Sequence, residues 1–168
     1  MMSKAVKIVP LEPKHAAIAP YLRLADIREH KAMSDLPIDA VLAFSIAHSE
    51  RGFAVELHDR IAAIFGVNDG VVWLVGTDEI AKHPVMFYRL SKKIFQRLSD
   101  GYDKLFNFVD NRNTLSLRWL KWLGFKIEPA QKINNGFFHF AHWEREKEDP
   151  STSPSQGRLE KQRKRKRV

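Results

Sequence analysis

The side chains with types and spacings suited to chemistry fall in three places. The first is Thr77-Asp78-Glu79-Ile80-Ala81-Lys82-His83-Pro84, which follows an apolar run. Asp78 is placed there either to cap a helix or to act as a general base. His83 is either a proton acceptor or a solvated residue beside Pro84. The second is Arg112-Asn113-Thr114-Leu115-Ser116-Leu117-Arg118-Trp119-Leu120-Lys121-Trp122. Arg112 and Arg118 suit phosphate or carboxylate, or are simply solvated, and the two indoles are either packing groups or a stacking platform. The third is the C-terminus. Arg158, Lys161, Arg163, Lys164, Arg165, Lys166 and Arg167 stand against one acid, Glu160, and this segment holds +6 of the chain's net +8. Such a run binds polyanions through counterion release, without sequence choice, or serves as a solubilising end. His139 and His142 lie three apart on a strand-like run, so they face opposite sides and make no metal pair. The absence of cysteine excludes disulfides, thiolate metal sites and a cysteine nucleophile.

The elements that must position these groups follow from apolar period and turn residues. Apolar residues make up 44% of the 168, a globular composition. No run is long enough to span a bilayer, and the N-terminus lacks a signal-peptide core, so the expected setting is a cytoplasm. Val6–Val9 reads as a strand. Pro13 to Met33 reads as a helical region broken at Pro20, and its second piece, from about Ala25, is so charged that it should be largely exposed. Ser34-Asp35 should cap a helix over Ile38–His48, whose apolar side is Val41, Leu42, Phe44 and Ile46.

Phe53–Leu57, Arg60–Val67 and Val71–Val75 read as three strands separated by His58-Asp59 and Asn68-Asp69-Gly70 turns. The last two are continuously apolar and should be buried on both faces. Pro84 opens a long helix with Phe87, Leu90, Ile94 and Leu98 on one stripe. Leu105–Val109 is a strand by alternation. Asn113 or Thr114 caps a helix that Gly124 ends. Phe125–Ile127 and Phe137–Trp143 are the last strands, joined through an Asn134-Asn135-Gly136 turn. The reading divides the chain into a domain over 1–145 and a basic tail without a core over 146–168.

This order, β-αα-β-β-β-α-β-α-β-β, resembles that of the GNAT N-acetyltransferase fold. Phe108 through Phe125 carries the family's pattern of strand, Asn, helix and Gly-Phe, with eleven residues from Asn113 to Gly124. The resemblance implies an α/β fold with a GNAT-like mixed, twisted sheet of about seven strands and helices on both faces. It also implies two strands, Val71–Val75 and Leu105–Val109, that diverge into a V, through Gly76 or a bulge near it.

A narrower resemblance covers about residues 5–145. Gly76-Thr77-Asp78, His83-Pro84, Phe87 and Asn113 through Phe125 look like the phage internal virion protein A family. This resemblance implies a phage origin, a partner in the virion or host, a place in the host cytoplasm or the virion, and a role in virion assembly.

The resemblance to GNAT acetyltransferases implies acetyl-CoA as cofactor and two devices for using it. The first is a glycine-containing loop that holds the pyrophosphate on backbone N–H groups. Here the corresponding loop has no glycine after Gly76, sets Asp78 and Glu79 beside the anion, and loses a donor at Pro84. Thr77, Lys82, Asn113 and Arg118 are the residues left to hold the cofactor. The second device is a tyrosine seven residues after the Asn, and that position is Leu120, which cannot donate a proton. Any catalysis would then fall to Asp78 and His83. The favoured reading is a largely non-catalytic protein. The alternatives are an active acyl-CoA-dependent N-acetyltransferase and a nucleic-acid-binding accessory protein acting through the tail.

Overall fold

The computed structural model describes residues 6–147; the first five residues and the basic tail, with all seven of its candidate cations, lie outside them. β1 (Val6–Pro10) leads into a 3-10 helix (Pro13–Tyr21), α1 (Leu24–Met33) and α2 (Ile38–His48). β2 (Arg51–Leu57), β3 (Arg60–Asn68) and β4 (Val71–Gly76) then run as antiparallel neighbours. A short α3 (Glu79–Lys82) and the long α4 (Pro84–Leu98) cross over to β5 (Lys104–Asp110). α5 (Thr114–Trp122), β6 (Lys126–Ile127), β7 (Gln131–Ile133) and β8 (Gly136–Glu144) complete the domain.

The sheet order is β1-β2-β3-β4-β5-β8-β6, with β7 paired to β8, so eight strands form one mixed sheet. The strand beyond the expected seven is β7, three residues that fold back on β8 through a turn with Asn134 in the left-handed region. The other tight turns stand where the sequence places them. His58 and Asp59 both take positive φ, as do Asp69 and Gly70, which suits the right-handed twist of the strands they join.

Two apolar layers enclose the sheet. On one face Phe65, Leu74 and Leu105 pack under α4 and α5, against Phe87, Ile94, Trp119 and Leu120. On the other, Ala54 and Ile64 pack under the 3-10 helix and α2, against Ile18, Leu42 and Ile46. β3 is buried on both faces, as its apolar run requires. β4 departs from the expectation. Val72 and Leu74 are buried, but Val71, Trp73 and Val75 are half-buried, because β4 borders a gap in the sheet and the second helical layer only partly covers it.

Three local expectations need correction. Pro37, not Ser34 or Asp35, stands at the N-cap of α2; the Ser34 hydroxyl instead accepts from the Leu36 N–H at 3.1 Å. Phe44 of α2 points outward and stacks on His48 one turn away, leaving Leu42 and Ile46 as the buried side. The charged α1 is not largely exposed. Asp26 is 3% exposed and Arg23, at its N-cap, is buried as well. Their mutual pairing is what permits that burial.

β4 and β5 are parallel and share a single register pair, Val71 with Phe106. Beyond it the strands have no common ladder, which is the V implied by the resemblance. A break at Gly76 does not cause it. β4 keeps an unbroken register with β3 through Gly76, and the one register shift among these strands lies in β2 at Val55/Glu56.

Candidate functional site

At the wide end of the V, several ionisable side chains gather in or at the edge of the interior. α1 lies across it and bonds to both arms. On the β4 side, the Arg23 N–H donates to the Gly76 carbonyl at 2.9 Å, and the Gly76 N–H donates to Asp26 Oδ2 at 3.0 Å. On the β5 side, the Asp110 N–H donates to Glu29 Oε1 at 2.7 Å. The outermost backbone groups of both strands, left without a strand partner, are thus satisfied by one helix.

Side chains link the two attachments. Arg23 grips Asp26 with two nitrogens, at 2.8 and 3.2 Å, in the forked geometry that suits a guanidinium to a carboxylate. Asn113 sits between them all. Its Nδ2 donates to Asp26 Oδ1 at 3.2 Å and to Glu29 Oε2 at 2.9 Å. Its Oδ1 accepts from Arg23 at 3.3 Å and from the Ser116 N–H at 3.4 Å, which also makes it the cap of α5. Asp110 is tied to Arg112 at 2.7 Å, and that guanidinium holds its carboxyl below the usual range.

Asp26 and Asp110 are buried and Glu29 is half-buried, and these three carboxyls outnumber the two guanidiniums, Arg23 and Arg112, that pair with them. Burial pushes the Glu29 carboxyl up to about 7, against the bonds from Asp110 N–H and Asn113 that favour its charged form. Burial also raises Asp26, in spite of Arg23. The cluster therefore holds a carboxyl that takes up and releases a proton near neutral pH.

The loop after β4 is folded shut on itself. The Thr77 N–H and hydroxyl both donate to the Ala62 carbonyl, at 2.9 and 3.2 Å, and the hydroxyl accepts from the Glu79 N–H at 3.3 Å. Asp78 precedes α3 but its side chain makes no cap bond, and it does not reach the helix that Pro84 opens. Lys82 is paired with Glu79 at 2.9 Å, and His83 Nε2 lies 3.9 Å from the same carboxylate. The His83 carbonyl accepts from Phe87 N–H in the first turn of α4. Arg118 is exposed on α5. Leu120, at the position of the expected proton donor, is 1% exposed and part of the core. The structure thus places Asn113 in the V, Thr77, Asp78, Lys82 and His83 on the folded loop, and Arg118 on the α5 surface.

Sequence reasoning missed Arg23, Asp26 and Glu29. Their signal was present, since positions spaced by three fall on one helical face, but charge on that face argued for solvent. His139, which the sequence reading set aside as a metal ligand, is held by the Glu128 carbonyl at 2.7 Å and by Asn111 Oδ1 at 2.8 Å. His142 pairs with the Glu128 carboxylate at 2.8 Å. No group of three metal-ligating side chains occurs among the described residues.

No protein-family model matches this sequence, and no curated protein does. Solved structures are similar to it in fold. A GNAT-family acetyltransferase from Streptococcus pneumoniae superposes with a TM-score of 0.59 at 15% identity, over 84% of this chain and 100% of that one. An acetyltransferase of Bacillus subtilis in complex with CoA gives 0.60 at 12% identity, over 84% and 100%. The aminoglycoside acetyltransferase AAC(6')-Ib in complex with coenzyme A gives 0.58 at 13% identity, over 84% and 95%. The chain has the GNAT acetyltransferase fold.

Proposed function

We propose that this GNAT-fold protein has a degenerate acyl-CoA site and acts through protein contacts, in the virion-assembly setting that its resemblance to phage internal virion protein A implies. The observation that carries the first part is the loop between β4 and α4. A pyrophosphate needs free backbone donors and net positive charge. This loop offers Asp78 and Glu79, a proline at the first position of α4, and a lysine already paired with Glu79. The residues present do not fit the cofactor that the fold group uses. The buried Leu120 and the bridging of the V by α1 agree with that reading.

Calorimetric titration of the purified chain with acetyl-CoA tests it. The expected result is no complex in the micromolar range. A complex of micromolar affinity or tighter, about −8 kcal/mol, would overturn the reading. The virion setting has its own test, mass spectrometry of purified particles from the strain that encodes the chain. Absence from the particles removes the setting and leaves the non-catalytic reading.

One observation favours a second reading, an acyl-CoA-dependent N-acyltransferase. Glu29 is a carboxyl near pH 7 at the mouth of the V, suited to accepting a proton from an amine. Turnover of acetyl-CoA that disappears in Glu29→Gln, in a variant that still folds, is the result that would select it.

A further inference from the structure

α4 and α5 cover one face of the sheet, and neither helix carries an acid. Arg89, Lys92, Lys93 and Arg97 on α4 and Arg118 and Lys121 on α5 stand against no Asp or Glu in either sequence. Tyr88, Arg89 and Lys92 follow Val85 by three, four and seven residues, which sets all four on one face of α4. Arg118 and Trp122, four apart, share a face of α5. The two faces meet, because the Tyr88 and Trp122 rings lie 5.6 Å apart, centroid to centroid, with 55° between their planes. Of the two indoles of α5, Trp119 is in the core and Trp122 is 55% exposed; Val85 is 63% exposed.

The charges decide what fits there. Arg89, Lys92, Arg118 and Lys121 are exposed, and none of these side chains makes a hydrogen bond or ion pair with another described residue. The acids that precede α4 in the chain, Asp78 and Glu79, belong to the folded loop, and Glu79 is already paired with Lys82 at 2.9 Å. Four cations without counter-charges on one surface attract anions. The apolar groups select the kind of anion. Val85 is aliphatic and has no π-face for a base, and the Tyr88 and Trp122 rings are tilted, so they offer no flat platform for stacking. An exposed indole and an aliphatic side chain ringed by cations have instead the make-up of a protein-interface anchor, apolar at the centre and charged at the rim.

From these we infer that the α4–α5 face docks an acidic segment of a partner protein: an apolar side chain of the partner packs on Val85 and Trp122, and carboxylates beside it pair with Arg89, Lys92, Arg118 and Lys121. The arginines take a carboxylate in forked geometry, and the lysines act as point charges. This docking gives the partner's chemistry for the protein contacts proposed above and rests on that reading for its mode of action. It occupies the outer surface of the two helices and uses none of the groups that bridge the V.

Selection of a random peptide library on the purified full-length chain, followed by anisotropy titration of the labelled enriched peptides, tests the inference. The expected peptides carry several Asp or Glu around an aromatic or aliphatic residue. Trp122→Ala and Arg118→Glu should each weaken their binding by about tenfold, and added salt should weaken it further. Lys132→Glu, on β7, should bind as the parent does. Enrichment of no acidic peptide, or binding untouched by both substitutions on α5, overturns the docking face and leaves the degenerate acyl-CoA site standing. Displacement of the peptide by coenzyme A would assign the cations to a cofactor and overturn both. Tighter binding of a labelled DNA duplex, lost in Arg118→Glu, would assign the face to nucleic acid and overturn the docking alone. If the variants do not fold, carbodiimide coupling of peptide carboxylates to lysines of the unaltered chain decides the matter. Adducts on Lys92 or Lys121 support the inference; adducts confined to other lysines overturn it.

Discussion

Replacing Glu29 by glutamine should change how stability responds to pH. In the unfolded chain this carboxyl titrates near 4.5, and in the folded protein burial lifts it to about 7. Between those values the native state holds a proton that the unfolded state has lost. Stability therefore falls as pH rises through this window. The contribution is fully present below about 4.5 and gone above about 7. The gap corresponds to about 3 kcal/mol. Asp26 is raised as well and adds a fall of the same sign, whereas Asp110, Glu50, Glu79 and Glu128 are lowered and act at the acid end.

Glu29→Gln removes the titration and introduces one conflict. The amide oxygen can still accept from the Asp110 N–H, but the amide nitrogen then faces Asn113 Nδ2, donor against donor. That conflict should cost about 1 kcal/mol. The variant should be about 1 kcal/mol less stable than the parent at pH 4.5 and about 2 kcal/mol more stable at pH 8. Urea unfolding of both proteins at intervals across that range reads the difference directly. Parallel stability curves would show that Glu29 ionises freely, and the account of a desolvated cluster bridging the V would fail.

Two further substitutions probe the packing around the site. Asn113→Ala removes the side chain that joins Arg23, Asp26, Glu29 and the start of α5, and should destabilise by about 2–3 kcal/mol in thermal or urea unfolding; a loss under about 0.5 kcal/mol would mean that the network is not coupled through it. Gly66→Ala would set a methyl 2.4 Å from the Trp73 ring and should cost about 1–3 kcal/mol, with a smaller cost in a Trp73→Leu background, so that additive effects in the double-mutant cycle would refute the clash.

Much of the scaffold was legible in the chain because it rests on local chemistry. Pro84 at the first turn of α4, the left-handed residues of the two hairpins in the meander, Asn113 as a cap and Gly124 at φ 98° after α5 each act within a few residues of themselves. With apolar period, they specify element order and hence fold class. The arrangement around the V was not legible. Charge on α1 predicted exposure. Asp26 is buried and Glu29 half-buried because a guanidinium from the residue before the helix and an amide about 85 residues away meet them. The exposure of Phe108 was equally silent, since Phe106 and Phe108 alternate with Leu105 and Val109, and alternation alone does not say which set faces the helices. Sequence determined the elements through short-range sterics and hydrogen bonding. Tertiary structure decided which polar groups share one low-dielectric interior and which aromatic face stays uncovered, because both depend on partners brought together only when β4, β5 and β8 join one sheet.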